Sequence, residues 1–81
     1  MSPEAIKQLL QANLPDCEFF IDVNGSHFHI TAIGQIFKGK KPVERQQLVY
    51  RALKEQISDG HIHAVAMKTH THKEWHELKK G

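Results

Sequence analysis

The chain has 81 residues, 40% of them hydrophobic and 25% charged, and its net charge is +2 with histidine neutral. That length suits one domain, residues 1–81, with a small core. The composition excludes a disordered chain and a transmembrane helix, since no stretch approaches the roughly 18 apolar residues a bilayer requires, and so weak a charge does not by itself announce a nucleic-acid binder.

Ser2 followed by Pro3 reads as an N-cap with proline at the first helical position. Ile6, Leu9, Leu10 and Leu14 give the apolar spacing of a first helix, which Pro15-Asp16 stops. From Glu18 to Val23, Phe19, Ile21 and Val23 alternate with polar positions and Phe20 falls on the opposite face, which predicts a strand. Asn24-Gly25 is a strong two-residue hairpin signal requiring positive φ. A second strand is predicted from about His27 to Gly34, with Phe28, Ile30 and Ala32 on one face and His27, His29, Thr31 and Ile33 on the other.

Gln35 to Lys41 is a connector that ends at Pro42. Val49, Leu53 and Ile57, with Leu48, Tyr50 and Ala52 beside them, form the apolar face of a helix from about Val43 to Ser58, closed by Asp59-Gly60. A third strand follows from Ile62 to Lys68. Thr71-His72-Lys73-Glu74 is a capping box that opens a last helix carrying Trp75 and Leu78. A helix between the second and third strands makes them parallel, while the hairpin makes the first two antiparallel. The expected fold is α+β, a mixed three-stranded sheet with helices on one face.

Cys17 is the only cysteine, so no intramolecular disulfide forms; with no basic-then-apolar leader at Met1-Ser2-Pro3-Glu4-Ala5, a cytoplasmic location is expected. Histidine is the enriched chemistry: seven residues that titrate near neutrality and ligate transition metals as neutral imidazoles. His27 and His29 share one face of the second strand, and His61 and His63 stand in the same relation around the start of the third. Parallel neighbours put those starts at one end of the sheet, so His27 and His63 are candidates for one metal. Two imidazoles leave a structural site incomplete, and Cys17 belongs at the opposite end, so any metal is shared with a partner. His72 and His76 are four apart on the last helix, without the glutamate of the zinc-protease motif, and read as a solvated face.

No nucleophile arrangement, phosphate-cradling glycine motif or catalytic carboxylate pair is apparent, and Glu44, Glu55, Glu74 and Glu77 read as helix-surface charges. Lys38, Lys40 and Lys41 lead into a helix start that carries Arg45, a candidate phosphate contact for DNA or RNA. Stacking platforms are scarce, because Phe19, Phe20, Phe28 and Phe37 are needed mostly as core.

Ser26-His27-Phe28, Phe37-x-Gly39, Arg45 with Leu48, Tyr50 and Leu53, His63-Ala64-x-Ala66, Thr69, Thr71 and Glu74-Trp75 occur in the order seen in the BolA family. The chain resembles that family from about Gly25 to Leu78, and its short hairpin is most similar to the IbaG-like branch. The resemblance implies an αββαβ fold related to the class II KH domain, in agreement with the topology above. It also implies a non-enzymatic protein whose partner is a monothiol glutaredoxin. That partner holds a 2Fe–2S cluster with its cysteine and glutathione, and a BolA protein adds a histidine to the shared cluster. The ligand of the His-Ala-x-Ala motif corresponds to His63. The second ligand, a histidine or cysteine in the loop between the first two strands, is replaced here by Asn24, which leaves His27, and behind it His29, as candidates. The family is further linked to acid and general stress and to transcriptional control. However, Phe37-Lys38-Gly39-Lys40 lacks the Gly-x-x-Gly loop with which KH domains clamp a backbone. No membrane partner is implied, and the chain is expected to be a monomer on its own.

Overall fold

The computed structural model describes residues 2–25, 27–60, 62 and 64–80. The elements are α1 (Pro3–Asn13), β1 (Glu18–Asn24), β2 (His27–Ile33), a 3-10 turn (Gln35–Phe37), α2 (Pro42–Ser58), β3 (Ala64–His70) and α3 (His72–Lys80). The strands form one sheet in the order β1-β2-β3, antiparallel between β1 and β2 and parallel between β2 and β3. This is the mixed α+β topology that the order of elements requires.

Local chemistry sets most boundaries. Ser2 Oγ accepts from the Ala5 amide at 3.1 Å and Pro3 opens α1; Pro15 then ends it. The hairpin departs by one residue from its predicted position. Asn24 pairs with His27, so Gly25 enters the turn with φ 63° while Asn24 stays in the strand. Glycine adopts that conformation without steric cost, whereas asparagine there does so less readily. A type II turn follows the 3-10 segment: Lys38 has φ −61° and ψ 130°, Gly39 has φ 75°, and the Lys40 amide donates to the Phe37 carbonyl at 3.2 Å. β3 is described over Ala64–His70 and ends two residues later than predicted.

The core lies between the sheet and the pair α1 and α2. Ile6 and Leu10 of α1, Phe19 of β1, Phe28, Ile30 and Ala32 of β2, and Val49, Ala52 and Leu53 of α2 are buried with Phe37 and Ile62. Fully burying one such large side chain stabilises by about 1.5–3 kcal/mol. Two residues assigned to the apolar face of α2 lie outside this core. Tyr50 and Ile57 are exposed, because at about 100° per residue Tyr50 stands a quarter-turn or more round the helix from Val49, and two steps of four residues carry Ile57 about 80° round in the same sense.

α1 and α2 occupy the expected face. α3 does not join them. Its Trp75 ring lies 5.8 Å from Phe20 and 5.7 Å from His70, and Phe20 alternates with the core residue Phe19 along β1. The last helix therefore covers one end of the opposite sheet face. There Ile33, which shares a face with His27 and His29, is fully buried.

Candidate functional site

The sheet face opposite α1 and α2 can be read in rows from the strand register. Asn24, His27 and Ala64 stand side by side at one end, followed by Asp22, His29 and Ala66, then Phe20, Thr31 and Lys68. His27 and His29 are exposed, and the flanking alanines of β3 leave their imidazoles unobstructed on that side. Residues from Phe20 through His29 to Lys68 line a shallow trough of about 370 Å³ there. The sequence reading thus holds for the position and shared face of His27 and His29. His61 and His63 lie outside the described residues, as does Ser26. In the chain, His63 directly precedes Ala64, the register partner of His27. Among the described residues no three His, Cys, Asp or Glu side chains converge on one point.

Cys17 is removed from this region. It precedes Glu18, which pairs with Ile33 at the far end of the sheet, and it is 5% exposed. Burial, aided by the nearby Asp16 carboxylate, pushes its thiol pKa up, which keeps it protonated and a poor metal ligand. Its Sγ lies against Gly34, where any β-carbon would overlap it.

At that far end the polar side chains are committed to one another. Thr71 Oγ1 accepts from the Glu74 amide at 3.1 Å while Glu74 Oε1 accepts from the Thr71 amide at 2.9 Å, the reciprocal capping box anticipated from sequence. The same carboxylate receives Arg45 in two hydrogen bonds, Nη1 to Oε1 at 2.7 Å and Nη2 to Oε2 at 3.2 Å. Arg45 Nε donates to the Lys40 carbonyl at 3.0 Å and Nη1 also to the Thr69 carbonyl at 3.4 Å. These bonds from Arg45, then the Thr71 amide, hold the Glu74 carboxyl down at about 2, and the Arg45 pKa rises in return.

Two sequence expectations are corrected by this network. Arg45 is not a free phosphate contact, since its guanidinium edge is already occupied by a carboxylate and two carbonyls. Glu74 is not a bare surface charge but the joint that ties α2, the end of β3 and α3 together. The signal that pairs them, an arginine and a glutamate 29 positions apart in the chain, carries no local periodicity. Phe20 likewise leaves the core group: it is 51% exposed and stacked on Trp75.

The basic connector retains exposed Lys38 and Lys41, with Lys40 half-buried. The start of α2 is less receptive to an anion than expected. Pro42 offers no amide there, and the Glu44 carboxylate already accepts from the Lys41 amide at 2.9 Å. No described helix is long and apolar enough to cross a membrane.

Comparison with known proteins is consistent with this architecture. The profile of the BolA family, described as BolA-like protein, matches residues 7–74. The chain is 39% identical over 80 residues to the acid stress protein IbaG of Escherichia coli, covering 99% of this chain and 95% of that one. It is 38% identical over 55 residues, 68% of this chain and 51% of the relative, to the DNA-binding transcriptional regulator BolA of Vibrio cholerae. Among solved structures, a BolA homologue from Coxiella burnetii superposes with a TM-score of 0.83 at 28% identity, covering 94% and 97% of the two chains.

Proposed function

This chain belongs to the BolA family, and on that premise we propose that it is a non-enzymatic cytoplasmic adaptor that docks on a monothiol glutaredoxin and completes the ligation of a 2Fe–2S cluster held between the two proteins. The observation that carries the reading is the exposure of His27 on a rigid strand, in register with the residue that follows His63. A shared cluster calls for imidazoles that another polypeptide can reach, and His27 and His29 fit that requirement. The histidines of β2 face solvent, while the one cysteine is buried at the other end.

In this proposal His63 is the principal ligand, assigned through the His-Ala-x-Ala motif, and His27 takes the place of the missing loop ligand, with His29 behind it. Bound in this way, the cluster would supply an iron whose histidine ligation would raise its potential above that of an all-cysteine site. The chain's own part is positional. β2 holds His27 and His29 on one exposed face, and the alanines of β3 beside them leave room for a docked partner. A role in acid stress is proposed by likeness to the E. coli relative, whose name carries it.

The test is to combine the protein with a monothiol glutaredoxin, glutathione, iron and sulfide and to record visible absorption and circular dichroism. The heterocomplex should give a spectrum distinct from that of the glutaredoxin alone, and His63→Ala should abolish the difference. His27→Ala should alter the spectrum more than His29→Ala. A spectrum indifferent to His63→Ala defeats the ligand assignment.

A second reading, a DNA- or RNA-binding regulator, is favoured by the exposed Lys38 and Lys41 and by the name of the V. cholerae relative. It requires binding that weakens with salt and with Lys40→Glu plus Lys41→Glu; affinity unaffected by either removes it.

A further inference from the structure

Two histidines take no part in the face just described. His72 and His76 both belong to α3 and both are exposed. Residues four apart in a helix lie on one face with Cβ atoms about 6 Å apart, a separation from which two imidazoles reach a single ion. α3 is also a stiff mount. Its first turn is closed by the Thr71–Glu74 capping box and bolted to α2 through Arg45, and Trp75 rests against Phe20 and His70. Lys79 is drawn over the Trp75 ring, its Nζ 5.2 Å from the centroid, which commits that ammonium to the aromatic side.

We propose that His72 and His76 form a surface chelate for a divalent transition-metal ion, strongest for Cu²⁺ and weaker for Ni²⁺ and Zn²⁺. Among the described residues no third donor joins them, so water completes the coordination shell and the affinity is that of a two-point site. Lys73 and Lys80 on the adjoining flank of the helix add like charge, which lowers it further. The ion is held by the geometry of one helix, so this site stands whether or not a glutaredoxin-borne cluster is bound elsewhere.

The experiment titrates the full chain, labelled with nitrogen-15, with Cu²⁺ alone near neutral pH, and follows amide broadening; Zn²⁺ alone is then titrated by calorimetry. Broadening should begin in α3 around His72 and His76. His72→Gln and His76→Gln should each weaken Zn²⁺ binding about tenfold or more, a loss of roughly 1.4 kcal/mol. His76 lies within the helix, so His76→Gln decides the matter if His72→Gln frays the first turn, as judged by far-ultraviolet circular dichroism. Broadening centred on β2, or undiminished Zn²⁺ affinity in His76→Gln, overturns the proposal.

Discussion

At the Glu18–Ile33–His70 end of the sheet, α3 covers the outer face, and Arg45, Glu74 and Thr71 satisfy one another and two backbone carbonyls. At the Asn24–His27–Ala64 end no described element covers the same face, and His27 and His29 are exposed beside Ala64 and Ala66 of β3. One sheet face thus has a sealed half and an open half. In the sealed half, charge and aromatic area are used to fix one helix to another, and the chemistry of those groups is consumed in doing so. In the open half, His27 and His29 are mounted on a paired strand and, among the described residues, no side chain hydrogen-bonds their imidazoles, which is the condition for meeting another protein.

Substitutions in the two halves should separate accordingly. The largest effect is expected at Gly34, whose amide donates to the His70 carbonyl at 2.9 Å and whose α-carbon is covered by Cys17 Sγ. Gly34→Ala forces a methyl into that sulfur and should cost about 2–3 kcal/mol in urea unfolding. Adding Cys17→Ala should recover part of the loss, and failure of the pair to couple would mean that the sulfur is not the obstacle.

Next comes Trp75→Ala, which strips the cover from Phe20 and His70 and should cost about 2 kcal/mol. A double-mutant cycle with Phe20→Ala should return a coupling of about 1 kcal/mol. Additive losses would show that the two rings do not support each other.

Glu74→Gln is expected to cost about 1 kcal/mol at neutral pH, through a weakened cap and a lost charge partner for Arg45 that is partly screened by solvent. This effect carries a pH signature. The folded Glu74 carboxyl sits near 2 against 4.5 when unperturbed, so its contribution is fully present above about 4.5 and is lost as pH falls from there toward 2. Unfolding curves of the wild type and Glu74→Gln should converge over that window; a gap that stays constant would assign the effect to packing.

The smallest effects belong to the open half. His27→Ala and His29→Ala should each change stability by less than about 0.5 kcal/mol, even where His27→Ala disturbs the proposed heterocomplex. A cost above 1 kcal/mol for either would mean that it is structural after all.

Much of this layout is legible in the residues. The Ser2-Pro3 start, the alternation of Phe19, Ile21 and Val23, the strand faces of β2 and the Thr71–Glu74 box are local signals, and each appears in the structure as read. The expectation that Cys17 lies away from His27 also follows from strand direction alone, and it holds. What escaped was non-local. Tyr50 and Ile57 fit a helical stripe but rotate off the core, and Phe20 has the composition of a core residue yet meets Trp75 on the other face. Arg45 looks like any basic residue beside a lysine run until its partner, 29 positions away, is brought to it.

By itself the amino-acid order determined the elements, their directions and the strand face on which His27 and His29 ride, because periodicity, caps and turns act over a few residues. Only the tertiary structure decided which half of the outer face is closed. That depends on where α3 docks, and docking is set by a guanidinium meeting a carboxylate and one ring meeting another across long stretches of chain, contacts for which no short-range pattern in the sequence carries a signal.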